Sequence, residues 1–387
     1  MKFSQPWYRK ARKAWFVTLN GKQIRLGESK KEAFAKYRVL LNEPTTRQVQ
    51  TASLVGIIDA FLEWVQKNRS EATYEWYRYR LQRFAQKYPD LRASDLKPYH
   101  VELWADQYKH SQTSRRNYLR SVKRCLKWAK KQGYIDGSPI SDLEVPSAEH
   151  RELALDAEQF QELLTFVRSP ELRDLLVVSW ETGCRPQESL RVEARHVDLE
   201  NQRWIFPKSE SKMKRLSRVV YLSKTALEIT RRLKEQHPEG KLFRNANGKP
   251  WSKDSVNCAF DAIRFRMAQA EMERRGEVIS NEVIATFVPT LSPTRKVNGE
   301  LVIKSEGELR SEAKRKLLAK RAVELVPRYS LYVLRHSFAT RALKNGIDSM
   351  TVALLLGHKD ASVLARVYQH LNQDPIHLLR QAERAAS

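Results

Sequence analysis

The residues of this 387-residue chain best suited to chemistry lie in two places. One reads Thr182-Gly183-Cys184-Arg185-Pro186-Gln187-Glu188-Ser189-Leu190. The other begins with Leu334-Arg335-His336-Ser337-Phe338-Ala339-Thr340, continues with Leu356-Gly357-His358, and reaches Tyr368 ten residues beyond that histidine. Two arginines, a histidine and a tyrosine suit phosphoryl transfer. Guanidinium forks hold the non-bridging oxygens of a phosphodiester, and a phenol oxygen attacks the phosphorus. A phenol ionises only at about pH 10, so such a site must favour its anion or remove its proton. Taken singly, an arginine is more often a salt-bridge partner, and a tyrosine late on a short helix more often packs. The ordered set with its local contexts weighs against both readings.

In these four pieces, and in their order, the chain resembles the tyrosine recombinase (phage integrase) family. The resemblance runs loosely from Thr51 onward, with its motifs confined to the second half of the chain. It implies an all-helical core-binding domain and a catalytic domain that form a C-shaped clamp on duplex recombination sites, as a homotetramer. One strand is cut through a 3′-phosphotyrosyl link and a free 5′-hydroxyl, and strands exchange through a Holliday junction. The link conserves the phosphodiester energy, so no metal and no nucleotide cofactor is required. Carried over residue by residue, Tyr368 is the nucleophile, and Arg185 and Arg335 clamp the phosphate. Glu188, one helical turn beyond Arg185, orients it. His358 hydrogen-bonds the phosphate or assists proton transfer, and His336 supports Arg335. A lysine on a hairpin protonates the leaving 5′-oxygen. Lys212 in Ser211-Lys212-Met213-Lys214-Arg215 fits best, with Lys214 and then Lys208 still open. One position departs from the family pattern. Tyr332 stands where a histidine or lysine precedes the second arginine. Its hydroxyl can donate to a phosphate oxygen, but it is a poor base near pH 7, which makes His358 the better candidate to deprotonate Tyr368.

These groups need elements to position them. Ala14–Leu19 and Lys22–Gly27 read as strands joined by an Asn20-Gly21 turn, followed by a helix capped by Ser29. This small α+β module (1–45) is rimmed with cations. It reads as an arm-type DNA-binding module or as a decoration packed on the next domain. Residues 43–52 are polar and read as a linker. The stretch 53–134 reads as helical throughout, in an all-α core-binding domain (51–137). Its fourth helix starts at Thr113 or Ser114 and ends at Gly133. That helix carries Arg115, Arg116, Arg120, Lys123, Arg124, Lys127, Lys130 and Lys131, with no acid between the first and the last. Self-repulsion on that scale asks for a counter-charge, so this helix is expected to contact phosphates. After a connector over 137–147 comes a mainly helical α+β catalytic domain (150–380). Its strands are 203–206 and 217–222, and its helices 157–167, 172–181, 225–236, 255–274, 331–345, 349–356 and 362–368. An insertion at about 276–327 adds a hairpin and a basic helix over 308–325.

Composition bounds the rest. Lys and Arg total 70 against 45 Asp and Glu, a formal net charge of +25 that points to a polyanion, most often nucleic acid. Three scattered cysteines show no metal-ligand spacing and suit a reducing compartment. No apolar run is long enough for a signal or a membrane span, so a cytoplasmic, nucleoid-associated location is expected. Accessory DNA-bending or directionality proteins are further expected partners. A transposon integrase or resolvase would use the same chemistry. A type IB topoisomerase would share residues but act as a monomer. A non-catalytic DNA-binding module would keep the fold and lose the reaction. A metal-dependent nuclease would need clustered carboxylates, which the sequence does not offer.

Overall fold

The structure is a computed structural model that describes residues 5–19, 22–40, 53–148, 153–211, 217–297 and 299–358. The chain divides into two compact units, 1–150 and 151–387.

In the first unit, β1 (Trp7–Arg9), β2 (Ala14–Leu19) and β3 (Lys22–Gly27) form an antiparallel sheet in that order, and α1 (Lys30–Leu40) covers it. Val17, Leu26, Ala33 and Tyr37 make a small core. Sequence patterning misses β1, whose three residues are all exposed. The module is tied to its neighbour: Gln5 donates to the Tyr74 hydroxyl at 3.2 Å, and Tyr37 hydrogen-bonds the Gln66 side chain. The polar stretch 43–52 and the Asn20-Gly21 turn lie outside the described residues.

Four helices follow: α2 (Leu54–Asn68), α3 (Glu71–Lys87), α4 (Pro98–Asp106) and α5 (Gln112–Lys131). Ser53, Ser70 and Ser111 each accept a backbone N–H at the start of α2, α3 and α5. Ser111, not Thr113 or Ser114, therefore starts α5. Nor is the stretch helical throughout. Between Tyr88 and Lys97, bounded by Pro89 and Pro98, the chain runs without helix and bridges Arg92 to Ser53. Phe61, Phe84 and Trp104 are fully enclosed, as are Leu119 and Leu126 on α5. Each such side chain contributes about 1.5–3 kcal/mol, whereas a like-charge pair one turn apart on α5 costs about 0.2–0.5 kcal/mol. Core burial therefore holds α5 against its own charge.

The second unit begins with α6 (Ala157–Thr165), α7 (Pro170–Thr182) and α8 (Pro186–Ser189). A three-stranded antiparallel sheet comes next, in the order β4 (Val197–Asp198), β5 (Arg203–Phe206), β6 (Arg218–Tyr221). The helices α9 (Lys224–Gln236) and α10 (Lys253–Arg274) lead to the inserted segment. That segment holds α11 (Asn281–Phe287), the hairpin β7 (Thr294–Val297) and β8 (Glu300–Ile303), and α12 (Glu306–Leu325). It has its own small core of Ile284, Leu291 and Ala313. Last come α13 (Leu331–Lys344) and α14 (Ser349–Leu356). The expected helix over 362–368 lies outside the described residues. A single large core joins α6, α7, the sheet, α9, α10 and the start of α13. α13 is fixed against α7: Arg341 donates to Trp180 O at 3.0 Å and stacks over the Trp180 ring at 4.0 Å. Among the described residues no helix is long and apolar enough to cross a membrane.

Candidate active site

Arg185 is the residue that starts α8. Pro186 occupies the first helical position, where a missing N–H costs nothing. Glu188 then lies one turn on and folds back. Its Oε2 accepts the Arg185 backbone N–H at 2.9 Å, and its Oε1 accepts Arg185 Nη1 at 2.8 Å. The Arg-Pro-Gln-Glu run therefore orients its own arginine. Ahead of it, Gly183 ends α7 at a point where a side chain has no room. A Cβ there would sit 2.5 Å from Phe338 Cδ1 of α13. This close approach brings α13 and Arg335 to the end of α7, and Arg335 Nη1 donates to Gly183 O at 2.9 Å.

A third arginine completes the cluster. Arg218 opens β6 on the buried side of the sheet, and its Nε lies 3.2 Å from Glu188 Oε1. From sequence alone, Arg218 shows only as a residue of the strand 217–222. The available signal was alternation: Arg218 shares a strand face with Val220, so the charge must point inward and find a partner. The three guanidiniums then meet one helix end. Arg218 Nη2 donates to Leu355 O at 2.9 Å, Arg335 Nη2 to Leu356 O at 2.8 Å, and Arg185 Nη2 to Gly357 O at 2.5 Å. The last carbonyls of a helix lack partners within it and carry the negative end of its dipole. The C-terminus of α14 thus organises three cations drawn from three distant segments.

The electrostatics follow from this packing. Burial pushes the Glu188 carboxyl up, but Arg218 and Arg185 outweigh it and hold the group below the usual carboxylate range. Burial, and then the Arg185 charge, pulls Arg335 down to about 10, so it stays cationic at neutral pH. His358 Nε2 lies 2.9 Å from Arg335 Nη2. A guanidinium has no lone pair to offer, so Nε2 accepts and the imidazole proton sits on Nδ1. His336 is held below the usual histidine value by burial and then by Arg335. Tyr332 is exposed on α13, with its ring 4.9 Å from that of His336. Among the described residues of the cluster, three guanidiniums face one carboxylate. That leaves two positive charges with oxygen acceptors but no counter-anion, which suits a phosphodiester.

Comparison with known proteins identifies the family and the fold. A model of the phage integrase family matches residues 154–277 and 296–374, just over half of the chain. The chain belongs to the phage integrase family. A tyrosine recombinase XerC-like protein of Caldanaerobacter subterraneus subsp. tengcongensis is 23% identical over 375 residues, covering 91% of this chain and 89% of that one. Among solved structures, the Tn1549 transposon integrase in complex with transposon right end DNA has a TM-score of 0.58 at 16% identity. The match covers 86% of this chain and 99% of that one. A lambda integrase tetramer bound to a Holliday junction has a TM-score of 0.53 at 13% identity, over 92% and 96% of the two chains. These likenesses show the recombinase fold. The family model passes over 278–295, which hold α11 and lie within the inserted segment.

Within the family's motifs, then, Arg185, Glu188, Arg335 and His358 share one cluster, and Tyr332 and His336 flank it on α13. Lys212, Lys214 and Tyr368 lie outside the described residues. Lys208 is exposed on the turn after β5. The basic residues of α5 have different surroundings. Arg120, Arg124 and Lys127 are exposed along one face. Arg116 donates instead to Pro146 O, and Lys123 Nζ to Leu143 O at 2.5 Å, so this pair fastens the connector to α5. Arg115 pairs with Asp106 at 2.8 Å. From sequence these cations all read as phosphate contacts, because helical spacing does not show which of them find oxygens nearby.

Proposed function

We infer that this chain is a site-specific DNA recombinase of the integrase kind, which cleaves and rejoins strands through a 3′-phosphotyrosyl intermediate. The observation that carries the reading is the cluster of Arg185, Arg218 and Arg335 around one carboxylate, with His358 against Arg335, in a chain of this family. In the reaction, Tyr368 Oη attacks the phosphorus as its proton leaves toward His358 Nε2, which Arg335 gives up as it turns to the phosphate. Arg185 and Arg335 release their helix-end carbonyls and take up the non-bridging oxygens, whose charge grows in the transition state. Lys212 or Lys214 protonates the departing 5′-oxygen. Rejoining reverses these steps with another strand's 5′-hydroxyl. The exposed cations of α5 hold the duplex backbone. Four copies act together on a Holliday junction, as in the lambda integrase tetramer. Accessory DNA-bending or directionality proteins, and a place in the cytoplasmic nucleoid, belong to the same reading.

The test is a nicked suicide substrate, from which the cleaved end diffuses away and the covalent adduct accumulates. The wild-type chain forms an adduct with DNA. Tyr368→Phe forms none and keeps DNA affinity within about twofold, because phosphate contacts dominate binding. An adduct that persists without the phenol, or no adduct with any cognate site, overturns the reading.

A further inference from the structure

Residues 207–218 carry Lys208, Lys212, Lys214, Arg215 and Arg218 and a single acid, Glu210. That acid is held from three sides. Its carboxylate lies 3.0 Å from His196 Nε2 and 2.9 Å from Arg195 Nη1, and its backbone oxygen accepts from Arg191. His196 is buried, and its Nδ1 accepts the Glu193 N–H at 3.0 Å, so its proton sits on Nε2 and points at Glu210. The Arg191 guanidinium lies over the Phe206 ring at 5.5 Å. Just before the lysines the chain is wound tightly, with Ser211 N donating to Pro207 O at 3.1 Å.

All three holders sit on the segment that carries Arg185 and Glu188. Arg191 N and Val192 N both donate to Glu188 O, at 3.3 and 3.0 Å, so Arg185, Glu188, Arg191, Arg195 and His196 follow one another on one short run. Beyond the lysines, Arg218 is bound to the same Glu188 and to Leu355 O. Glu210 and Arg218, which flank Lys212 and Lys214 in the sequence, are thus both held by the frame that holds Arg185.

We propose that Glu210, gripped by His196, Arg195 and Arg191, is a latch that positions the following Lys212 or Lys214 for protonation of the leaving 5′-oxygen. Glu210 and His196 are positioning residues that act through the lysine. The proposal rests on the reading that Lys212 or Lys214 is the general acid. A lysine has a long flexible stem, so its backbone must be held by fixed contacts nearby if the ammonium is to stay in one place.

The experiment measures single-turnover adduct formation by the full-length chain on two suicide substrates, one with a bridging 5′-oxygen and one with a bridging 5′-sulfur. Sulfur leaves without protonation, so it removes the need for the acid and for anything that positions it. Lys212→Ala and Lys214→Ala serve as references. Glu210→Ala should slow the oxygen substrate about tenfold or more, the scale for a misplaced catalytic group, and the sulfur substrate less than about twofold. Glu210→Gln, which still accepts from His196, should recover most of the loss. Equal losses on both substrates, or no loss, overturn the latch. If a lysine variant shows sulfur rescue and Glu210→Ala does not, the latch alone fails. If neither lysine variant shows it, the general-acid reading fails and takes the latch with it. Should Glu210→Ala not fold, Arg195→Ala at an exposed position removes one carboxylate partner. It should then show a smaller split of about threefold, and equal rates on both substrates overturn the latch there too.

Discussion

Gly357→Ala tests the packing around the end of α14. Gly357 follows that helix with φ +67°, and a Cβ there would lie 2.8 Å from Arg218 Nε and 2.9 Å from its Cδ and Cζ. Alanine pays about 1–2 kcal/mol for the left-handed backbone alone. The guanidinium must also yield, and its bonds to Glu188 at 3.2 Å and Leu355 O at 2.9 Å have little slack before they fail. A bond to a charged partner is worth about 1.5–3 kcal/mol, so losing one or both brings the expected total to about 2.5–8 kcal/mol. Gly276→Ala is the control. Gly276 also follows a helix in the same unit, with φ +66°, but nothing lies within 4 Å of its added Cβ. It should cost about 1–2 kcal/mol. Urea unfolding of the two variants measures the difference, and adduct formation should fall for Gly357→Ala and not for Gly276→Ala. A double-mutant cycle isolates the cause: with Arg218→Ala already present, Gly357→Ala should cost no more than Gly276→Ala. If the two glycine variants are equally destabilised in the wild-type background, or if Arg218→Ala leaves the cost of Gly357→Ala unchanged, the crowding argument is refuted.

Three further outcomes are expected. Exchanging Arg120, Arg124 and Lys127 for Glu should weaken DNA binding and lower the slope of log affinity against log salt by about 2–3. Ala at Arg116 or Lys123 should mainly destabilise the helical unit, by about 1–2 kcal/mol each. Filter binding across a salt series with urea melts checks both, and an unchanged slope in the folded triple variant would show that this face meets solvent. Glu188 gives a pH signature. Its folded value is depressed below the ordinary 4.5, so its stabilisation is present above about pH 4.5 and lost as the pH falls through the depressed value. The gap in Tm between wild type and Glu188→Gln should therefore be widest near neutral pH and close in acid. A gap independent of pH would place the carboxylate outside the network.

Much of the site was legible because its logic is local. Arg185, Pro186 and Glu188 form a start signal and its reply within one helical turn, and no distant residue is needed to bring them together. The end of α14 at Gly357, the apolar faces of α2 to α5 and the strand pair β5 and β6 likewise follow from spacing along the chain. Other elements were not legible for equally physical reasons. β1 is short and fully exposed and carries no alternation. α11 is seven residues long and belongs to a small core formed with α12 rather than to a face of its own. The break over 88–97 hides between two prolines inside a stretch of otherwise helical residues.

By itself, the sequence determined which residue types could do this chemistry, the order in which they come, and the helices and turns that carry them, because those depend on neighbours a few positions away. Tertiary structure alone decided their partners. Arg185, Arg218 and Arg335 end on the successive carbonyls of Gly357, Leu355 and Leu356 because three segments far apart in the chain pack around one helix end. Arg218 turns inward to Glu188, while Arg116 and Lys123 turn to the carbonyls of Pro146 and Leu143. A cation's type fixes that it needs an oxygen. Which oxygen lies within reach is set by long-range packing, which no local pattern encodes.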